Sequence, residues 1–209
     1  MNSAWAICII LGSSVPLSSS YGLIVEGIYD VPVFERLTER LVPGVKFVKS
    51  YPAGGKAKVI NNYPSLLWRF ANSVMGAAVQ RGIVICDSNG KDPIEIETTM
   101  AARTDLNKYP FRHGVQFHAT SQETETWLLA DHVAINSVAA ERGTGASVGP
   151  FSESHLESLP NAKEEFIKIL TAANLPYTPE VCGEIAGKID LVRLRAACPG
   201  FSRFEAKLT

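Results

Sequence analysis

The chain has 209 residues, a formal net charge of -1, 46% hydrophobic residues and 20% charged residues. This composition is typical of an ordinary globular protein, and the length is sufficient for one α/β domain with a substantial core. The near-neutral charge excludes a basic surface that dominates the whole molecule, although a local basic patch can still bind nucleic acid.

The cysteines and the N-terminal segment bear on the cellular setting. The four cysteines include no CxxC pair and no zinc-ligand spacing, which argues against a zinc site or a disulfide scaffold and favours a reducing cytoplasm. Residues 4–11 are apolar, but the run is far shorter than the roughly 20 residues of a membrane span and lacks a positive flank, so no membrane partner is expected. For residues 1–20, an export signal, a misassigned start codon and an extra strand or tail are alternatives, and we favour an N-terminal extension.

Strand patterns alternate with helix patterns up to about residue 130. The predicted elements are a strand at 21–25, a helix at 30–41, a strand at 45–48, a helical pattern at 57–78, a strand at 82–86, a helix at 93–103, a strand at 115–119, and helices at 123–130, 131–140, 162–173, 179–189 and 191–197. Pro64 lies early in the 57–78 pattern and is expected to mark the start of that helix. Polar residues alternate in the strand at 115–119, which predicts a more exposed position.

The alternation predicts an α/β fold with a mostly parallel, Rossmann-like sheet flanked by helices. Continuous apolar residues at 23–25 and 83–86 indicate strands that are covered on both faces. We assign the α/β core to residues 21–142. The remaining residues, 143–209, are expected to form a loop and a helical region packed on that core.

Two buried strands each deliver a carboxylate at their C-terminal end, namely Glu26 and Asp87. Ligands of open α/β sheets collect outside the carboxyl ends of the strands, so we expect the two acids to share one crevice. Carboxylates with waters and substrate phosphates are the ligands that Mg²⁺ prefers, and such a site suits phosphodiester chemistry. The alternative is that both acids only cap the helices that follow.

Further oxygen ligands are available near these two acids. Asn89 and Asp92 follow Asp87 closely enough to join a metal site, although Asp92 fits equally well as the cap of the next helix. Glu123 and Glu125 are two residues apart and do not share a helix face, so only one is expected in the crevice. Glu125 is favoured because it borders the apolar segment that must pack inward.

Gly54, Gly55 and Lys56 precede a predicted helix. They can present backbone N–H groups and an ammonium to a phosphate at the helix N-terminus. The segment does not have the spacing of a P-loop, and an ordinary turn is the alternative. The four histidines lack metal-ligand spacing and are interpreted as structural or surface residues.

Four segments together resemble the Toprim superfamily, and they are VEG at 25–27, GGK at 54–56, VICD at 84–87 and ETETWLLAD at 123–131. More narrowly, the chain resembles a bacterial Toprim-like family related to OLD-type nucleases, and CPGFSRF at 198–204 is similar to the ending of that family. The resemblance covers about residues 21–208. It implies a Toprim-like fold with a central parallel sheet and an acidic site for Mg²⁺, with Mn²⁺ as a substitute.

The resemblance also implies roles for individual residues. Glu26 matches the glutamate that serves as general acid/base or metal ligand, and Asp87 matches the first aspartate of a DxD motif. Asn89 stands where the second aspartate is expected, which should weaken metal binding unless Asp92 or Glu125 compensates.

Two functional hypotheses follow. The first is a Mg²⁺-dependent, phosphodiester-cleaving Toprim-like protein of the nuclease type, and the resemblance implies a role in phage defence with an AAA/OLD-type ATPase partner. The second is a noncatalytic Toprim-like module that binds a nucleotide, nucleic acid or such an ATPase. A small-molecule phosphatase or kinase-like enzyme would need a nucleophile motif, which the sequence lacks.

Overall fold

Strand β1 (Ser20–Val25) lies in the interior of a four-stranded parallel sheet with the order β2-β1-β3-β4. The computed structural model describes residues 19–72, 79–151 and 156–208. The other strands are β2 (Lys46–Pro52), β3 (Arg81–Asp87) and β4 (Val115–Thr120). The predicted α/β fold with a parallel, Rossmann-like sheet is therefore confirmed.

Helices connect the strands and make up most of the C-terminal third. They are α1 (Asp30–Leu41), α2 (Lys56–Asn72), α3 (Pro93–Ala102), α4 (Glu125–Leu129), α5 (His132–Glu141), α6 (Ala162–Ala172), α7 (Pro179–Lys188), α8 (Leu191–Ala197) and α9 (Pro199–Ala206). The chain runs outward from β1 through α1 to β2, and α2 then returns it across β1 to β3. The direction of the strand order therefore reverses between β1 and β3, where ligands of such sheets bind.

The two interior strands are buried on both faces. Leu23 and Val25 of β1 join a core with α1 and the C-terminal helices, whereas Ile24 faces a second core with α2 and α3. This alternation explains why the apolar run of a central strand is continuous in sequence. Gly22 is required on the α2 side, because a Cβ at this position would lie 2.8 Å from the ring of Phe70.

Strand β4 is more buried than its alternating sequence predicted. It is an edge strand, but His118 is only 1% exposed because α3 and α9 cover the edge. The backbone groups of this edge are paired with side chains: Glu97 accepts from the N–H of Ala119 at 2.9 Å, and the Lys207 ammonium donates to the carbonyl of Phe117 at 2.7 Å. These side chains protect an edge that would otherwise be open to pairing with another strand.

One helix prediction is wrong, and one helix was not predicted. Pro64 does not start a helix but lies inside α2, which begins at Lys56, directly after Gly55. The helix α9 was not predicted as a separate element; Pro199 occupies its first turn, where a missing N–H costs nothing.

Several sequence predictions fall on residues outside the described part of the chain. These are residues 1–18 of the extension assigned to 1–20, including Cys8, the last part of the helical pattern at 73–78, and residues 152–155 of the loop. The described helices of the C-terminal region contribute to the same core as β1 and α1. Within the described residues, none of the helices combines the length and the hydropathy needed to span a membrane.

Candidate functional site

A pocket of about 250 Å³ opens at the carboxyl ends of the strands. Its oxygen-bearing side chains come from different elements and are Glu26, Asp30, Asp87, Asn89, Glu123 and Glu125. The predicted meeting of Glu26 and Asp87 therefore occurs, at the reversal of strand order between β1 and β3.

Glu26 follows the last residue of β1 and is held from both sides. Its backbone carbonyl accepts hydrogen bonds from the N–H groups of Gly54 (2.8 Å) and Gly55 (3.0 Å). Its side-chain Oε2 lies 3.4 Å from the backbone nitrogen of Asp87, which donates to it. Glu26 thus connects the ends of β1, β2 and β3, through its backbone carbonyl on one side and its carboxylate on the other.

Asp87 and Asp30 carry the clearest electrostatic signature of the pocket. Burial raises the pKa of Asp87 well above its usual range, and the neighbouring Asp30 carboxylate raises it further, while the Thr120 hydroxyl donates to Asp87 at 2.7 Å. Burial likewise raises the pKa of Asp30 to about 6, against a hydrogen bond of 2.7 Å from the N–H of Gly27. Two half-buried acids that repel each other are a typical feature of catalytic and binding sites.

Glu123 and Glu125 both line the pocket, so the expectation that only one would do so is wrong. Helix α4 begins at Glu125, and Glu123 lies in the preceding turn, so the helical spacing used for the prediction does not apply. Glu125 is only 8% exposed and accepts a hydrogen bond of 2.5 Å from the hydroxyl of Tyr177. Glu123 accepts from the backbone N–H of Lys163 at 2.9 Å.

Two tyrosines and a lysine form another wall of the pocket. The rings of Tyr29 and Tyr177 stack with centroids 4.3 Å apart, and the Lys163 ammonium lies 5.9 Å and 5.5 Å from the two centroids. This arrangement holds a cation next to the acidic cluster, at a distance where cation–π attraction is effective.

The predicted phosphate-binding segment lies at the pocket but is already occupied by internal bonds. Gly54 and Gly55 line the pocket, and both of their N–H groups donate to Glu26. The Lys56 ammonium donates to the carbonyl of Ser88 at 2.7 Å and connects the start of α2 to the loop after β3.

Asn89 and Asp92 take different positions. Asn89 lines the pocket with a positive φ of 50°, a conformation that Asn tolerates better than most residues. Asp92 is exposed and caps α3, where its Oδ1 accepts from the N–H of Ile94 at 2.9 Å, and it does not line the pocket. Of the two roles considered for Asp92, metal ligand and helix cap, the structure shows the helix cap.

The donor set of the pocket suits a hard cation, because carboxylate and amide oxygens are the ligands that Mg²⁺ prefers. In the observed rotamers, however, no three His, Cys, Asp or Glu side chains within 19–72, 79–151 and 156–208 converge closely enough to hold a metal ion. The chemistry of the donors fits Mg²⁺, and binding would require carboxylates such as Glu26 and Asp87 to turn toward a common point.

Trp127 of α4 and the CPGFSRF segment at 198–204 meet in the core rather than in the pocket. Trp127 is fully buried, and its ring lies 5.3 Å from that of Phe201. Asp131 caps α5 and accepts from Arg193 at 3.0 Å, which ties α8 to the core. Of the ETWLLAD segment, Glu125 alone reaches the pocket with its side chain.

Sequence reasoning did not assign Asp30, Lys163 or Tyr177 to the site. Asp30 could have been found, because it lies one helical turn after Glu26 and begins the helix that follows the strand. Lys163 and Tyr177 lie in the C-terminal region, and only tertiary packing brings them to the pocket.

The fold and the pocket define a Rossmann-like α/β protein with an acidic site at the carboxyl edge of its sheet. Family models, curated proteins and solved structures give no match to this chain. The Toprim resemblance therefore rests on the residues alone and stays a prediction.

Proposed function

We propose that this protein hydrolyses phosphodiester bonds with Mg²⁺ in the acidic pocket. The observation that supports the proposal best is the crowding of Glu26, Asp30, Asp87 and Glu125 in one half-buried space, where burial, and to a lesser extent repulsion, raises the pKa of Asp30 and Asp87. Like charges in such a space are unfavourable unless a cation neutralises them.

When bound, Mg²⁺ would supply Lewis-acid chemistry, which polarises a phosphoryl oxygen and lowers the pKa of water. Glu26, Asp87, Asn89 and Glu125 would hold the ion. Glu26 would accept the proton of the attacking water; the water oxygen then bonds to phosphorus, and the bond from phosphorus to the leaving oxygen breaks. The leaving oxygen takes up a proton, for which the Asp30 carboxyl is a suitable donor because burial raises its pKa.

Two lysines are candidates for the contact to the phosphate. Lys163 lines the pocket with its charge directed over the two tyrosine rings. Lys56 was predicted for this role from the sequence, but its ammonium already donates to Ser88. We favour Lys163, with Lys56 holding the loop after β3 in position.

Cleavage of labelled single-stranded and duplex DNA and RNA in Mg²⁺ or Mn²⁺ tests the proposal. Glu26→Gln and Asp87→Asn keep the shape of the side chains and should each lower the rate by at least about 100-fold. Glu39→Gln is the matched control, because Glu39 is an exposed acid of α1 that pairs with Arg36. Unchanged cleavage in both pocket variants would contradict the assignment.

A noncatalytic binding module is the second candidate. It is favoured by Asn89, which replaces an expected carboxylate, and by the absence of a converged three-ligand group among the described residues. Calorimetry with Mg²⁺ and Mn²⁺ separates the candidates: no binding at millimolar metal, together with a stable complex with an AAA/OLD-type ATPase, would favour the module. The ATPase partner and a role in phage defence are implied by the resemblance alone.

A further inference from the structure

We infer that a groove between α2 and β2 binds a single strand of nucleic acid and leads it to the acidic pocket. The inference rests on the proposed function, since it specifies the substrate class of that pocket. Its support comes from charge, exposed aromatic rings and the position of the groove.

The charge of this region is strongly one-sided. Residues 40–86 contain no Asp or Glu but include Lys46, Lys49, Lys58 and Arg69, in a chain whose overall charge is -1. Strand β2, helix α2 and the connection between them fall within this segment, and residues of all three line one groove. Such a local basic patch is the electrostatic footprint of a polyanion.

The groove itself has a volume of about 430 Å³. Its lining includes Tyr51 of β2 and, from one face of α2, Asn62, Ser65 and Arg69. Arg69 is exposed, and neither it nor Lys49 or Lys58 forms an ion pair with any residue that the structure describes. These charges are free to contact phosphates, and the Asn62 and Ser65 side chains can add hydrogen bonds.

Aromatic rings accompany the basic groups. Trp68 is 58% exposed on α2, one helical turn after Ser65, on the flank of the groove. Tyr51 is half-buried, and the Lys49 ammonium lies 5.6 Å from its ring centroid. Aromatic platforms beside a basic groove are the features by which proteins hold unpaired bases.

The linings of the groove and of the acidic pocket meet at neighbouring residues of the chain. Ala53 lines the groove and the next residue, Gly54, lines the pocket. Lys58 lies at this junction, because its ammonium is 3.5 Å from the position that a Cβ of Gly54 would occupy. A strand whose bases stack on Trp68 and Tyr51 would therefore pass its backbone over the 53–55 loop toward Glu26.

These features favour a single strand over other polyanions. The bases of a duplex are paired and lie inside it, so they cannot stack on Trp68 and Tyr51. An acidic peptide carries the negative charges but has no bases that stack on these rings. The geometry thus points to a strand with unpaired bases.

The test measures binding of a fluorescent oligonucleotide of about 12 nucleotides, by anisotropy, in EDTA and at about 50 mM salt. Arg69→Glu and Lys49→Glu should each weaken binding at least about tenfold, and Trp68→Leu should weaken it by about tenfold while Trp68→Tyr retains most of it. Lys168→Glu, at an exposed lysine of α6, is the control with the same charge change and should have little effect. Thermal unfolding of each variant verifies that the fold is kept.

Three outcomes would overturn the inference: no binding at low salt, equal weakening by Arg69→Glu and Lys168→Glu, or equal affinity for duplex or polyglutamate. Because EDTA removes the metal, binding is scored separately from cleavage. Groove-dependent binding without cleavage in Mg²⁺ would refute the proposed function and leave the inference intact. Cleavage in Mg²⁺, together with binding that does not change in the Arg69 and Trp68 variants, would refute the inference and leave the proposed function intact.

Discussion

The backbone N–H of Asp87 donates a hydrogen bond to Oε2 of Glu26, over 3.4 Å. The bond connects the ends of the two interior strands and directs the Glu26 side chain toward β3. It also keeps the Glu26 carboxylate beside the half-buried Asp87 carboxyl. The pairing of Glu26 with Asp87 is therefore built into the backbone arrangement of the sheet.

The repulsion within this cluster should make Asp87→Asn more stable than the wild type. Asn removes a buried negative charge, and its amide oxygen can still accept the hydrogen bond from Thr120. We expect the free energy of unfolding at pH 7 without metal to rise by about 1 to 2 kcal/mol, measured by urea denaturation. Cleavage should be lost in the same variant.

The control for this prediction is Asp105→Asn, at an exposed acid that caps the short turn at 106–108. Its stability should change by less than about 0.5 kcal/mol, because Asn is also a good cap. A loss of stability in Asp87→Asn would show that the charge is already compensated inside the protein.

Mg²⁺ should stabilise the wild type by binding the pocket, with a gain that rises with the logarithm of the Mg²⁺ concentration above the dissociation constant. At a concentration about ten times the dissociation constant, the gain is about 1.4 kcal/mol, which corresponds to a rise in Tm of about 3 °C for a chain of this size. Differential scanning fluorimetry with and without EDTA measures the effect, with NaCl at matched ionic strength as the control. An equal rise in Glu26→Gln would place the cation elsewhere on the protein.

Substitutions at Asp92 distinguish its predicted role as a metal ligand from its observed role as a helix cap. Asp92→Asn should keep both stability and cleavage, whereas Asp92→Ala should lose about 1 kcal/mol of stability and still cleave. Circular dichroism melts and the cleavage assay measure the two properties. Loss of cleavage in Asp92→Asn would restore this residue to the metal site.

His118 should make stability fall in mild acid. Burial lowers the pKa of this imidazole well below its usual range, and the charges of Lys207 and Arg203 lower it further. In the unfolded chain, the pKa of His118 is about 6.5, so the side chain takes up a proton in mild acid, whereas in the folded chain it stays neutral. The stabilisation present above about pH 6.5 is therefore lost as the pH decreases.

We expect His118→Phe to remove this pH dependence, since Phe can fill the space beside the rings of Trp127 and Phe204. Urea denaturation at pH 7 and at lower pH should show a wild-type slope steeper by at most about 1.4 kcal/mol per pH unit. His113→Gln, at an exposed histidine, is the matched control. Parallel slopes in wild type and His118→Phe would mean that folding does not change the protonation of His118, and would contradict the lowered pKa.

Local patterns in the sequence were sufficient for much of the fold. The continuous apolar residues of β1 and β3 predicted interior strands, and Asp30 and Asp131 marked helix starts that the structure reproduces. The extent of α2 was misread at Pro64, because tertiary packing of the buried residues Tyr63 and Leu67 overrides the local cost of a proline in the middle of the helix. The exposure of β4 was misread because two helices, α3 and α9, cover this edge, and α9 follows much later in the chain.

The sequence by itself determined that Glu26 and Asp87 end two buried strands, and parallel strands necessarily bring such ends to one edge. Only the tertiary structure decided which other groups join them. Tyr177 reaches Glu125 from 52 residues away, and Asp92, five residues from Asp87, turns outward to cap a helix. Periodicity along the chain specifies which face of an element is buried, whereas the partners across a pocket depend on how distant helices pack, which no local pattern encodes.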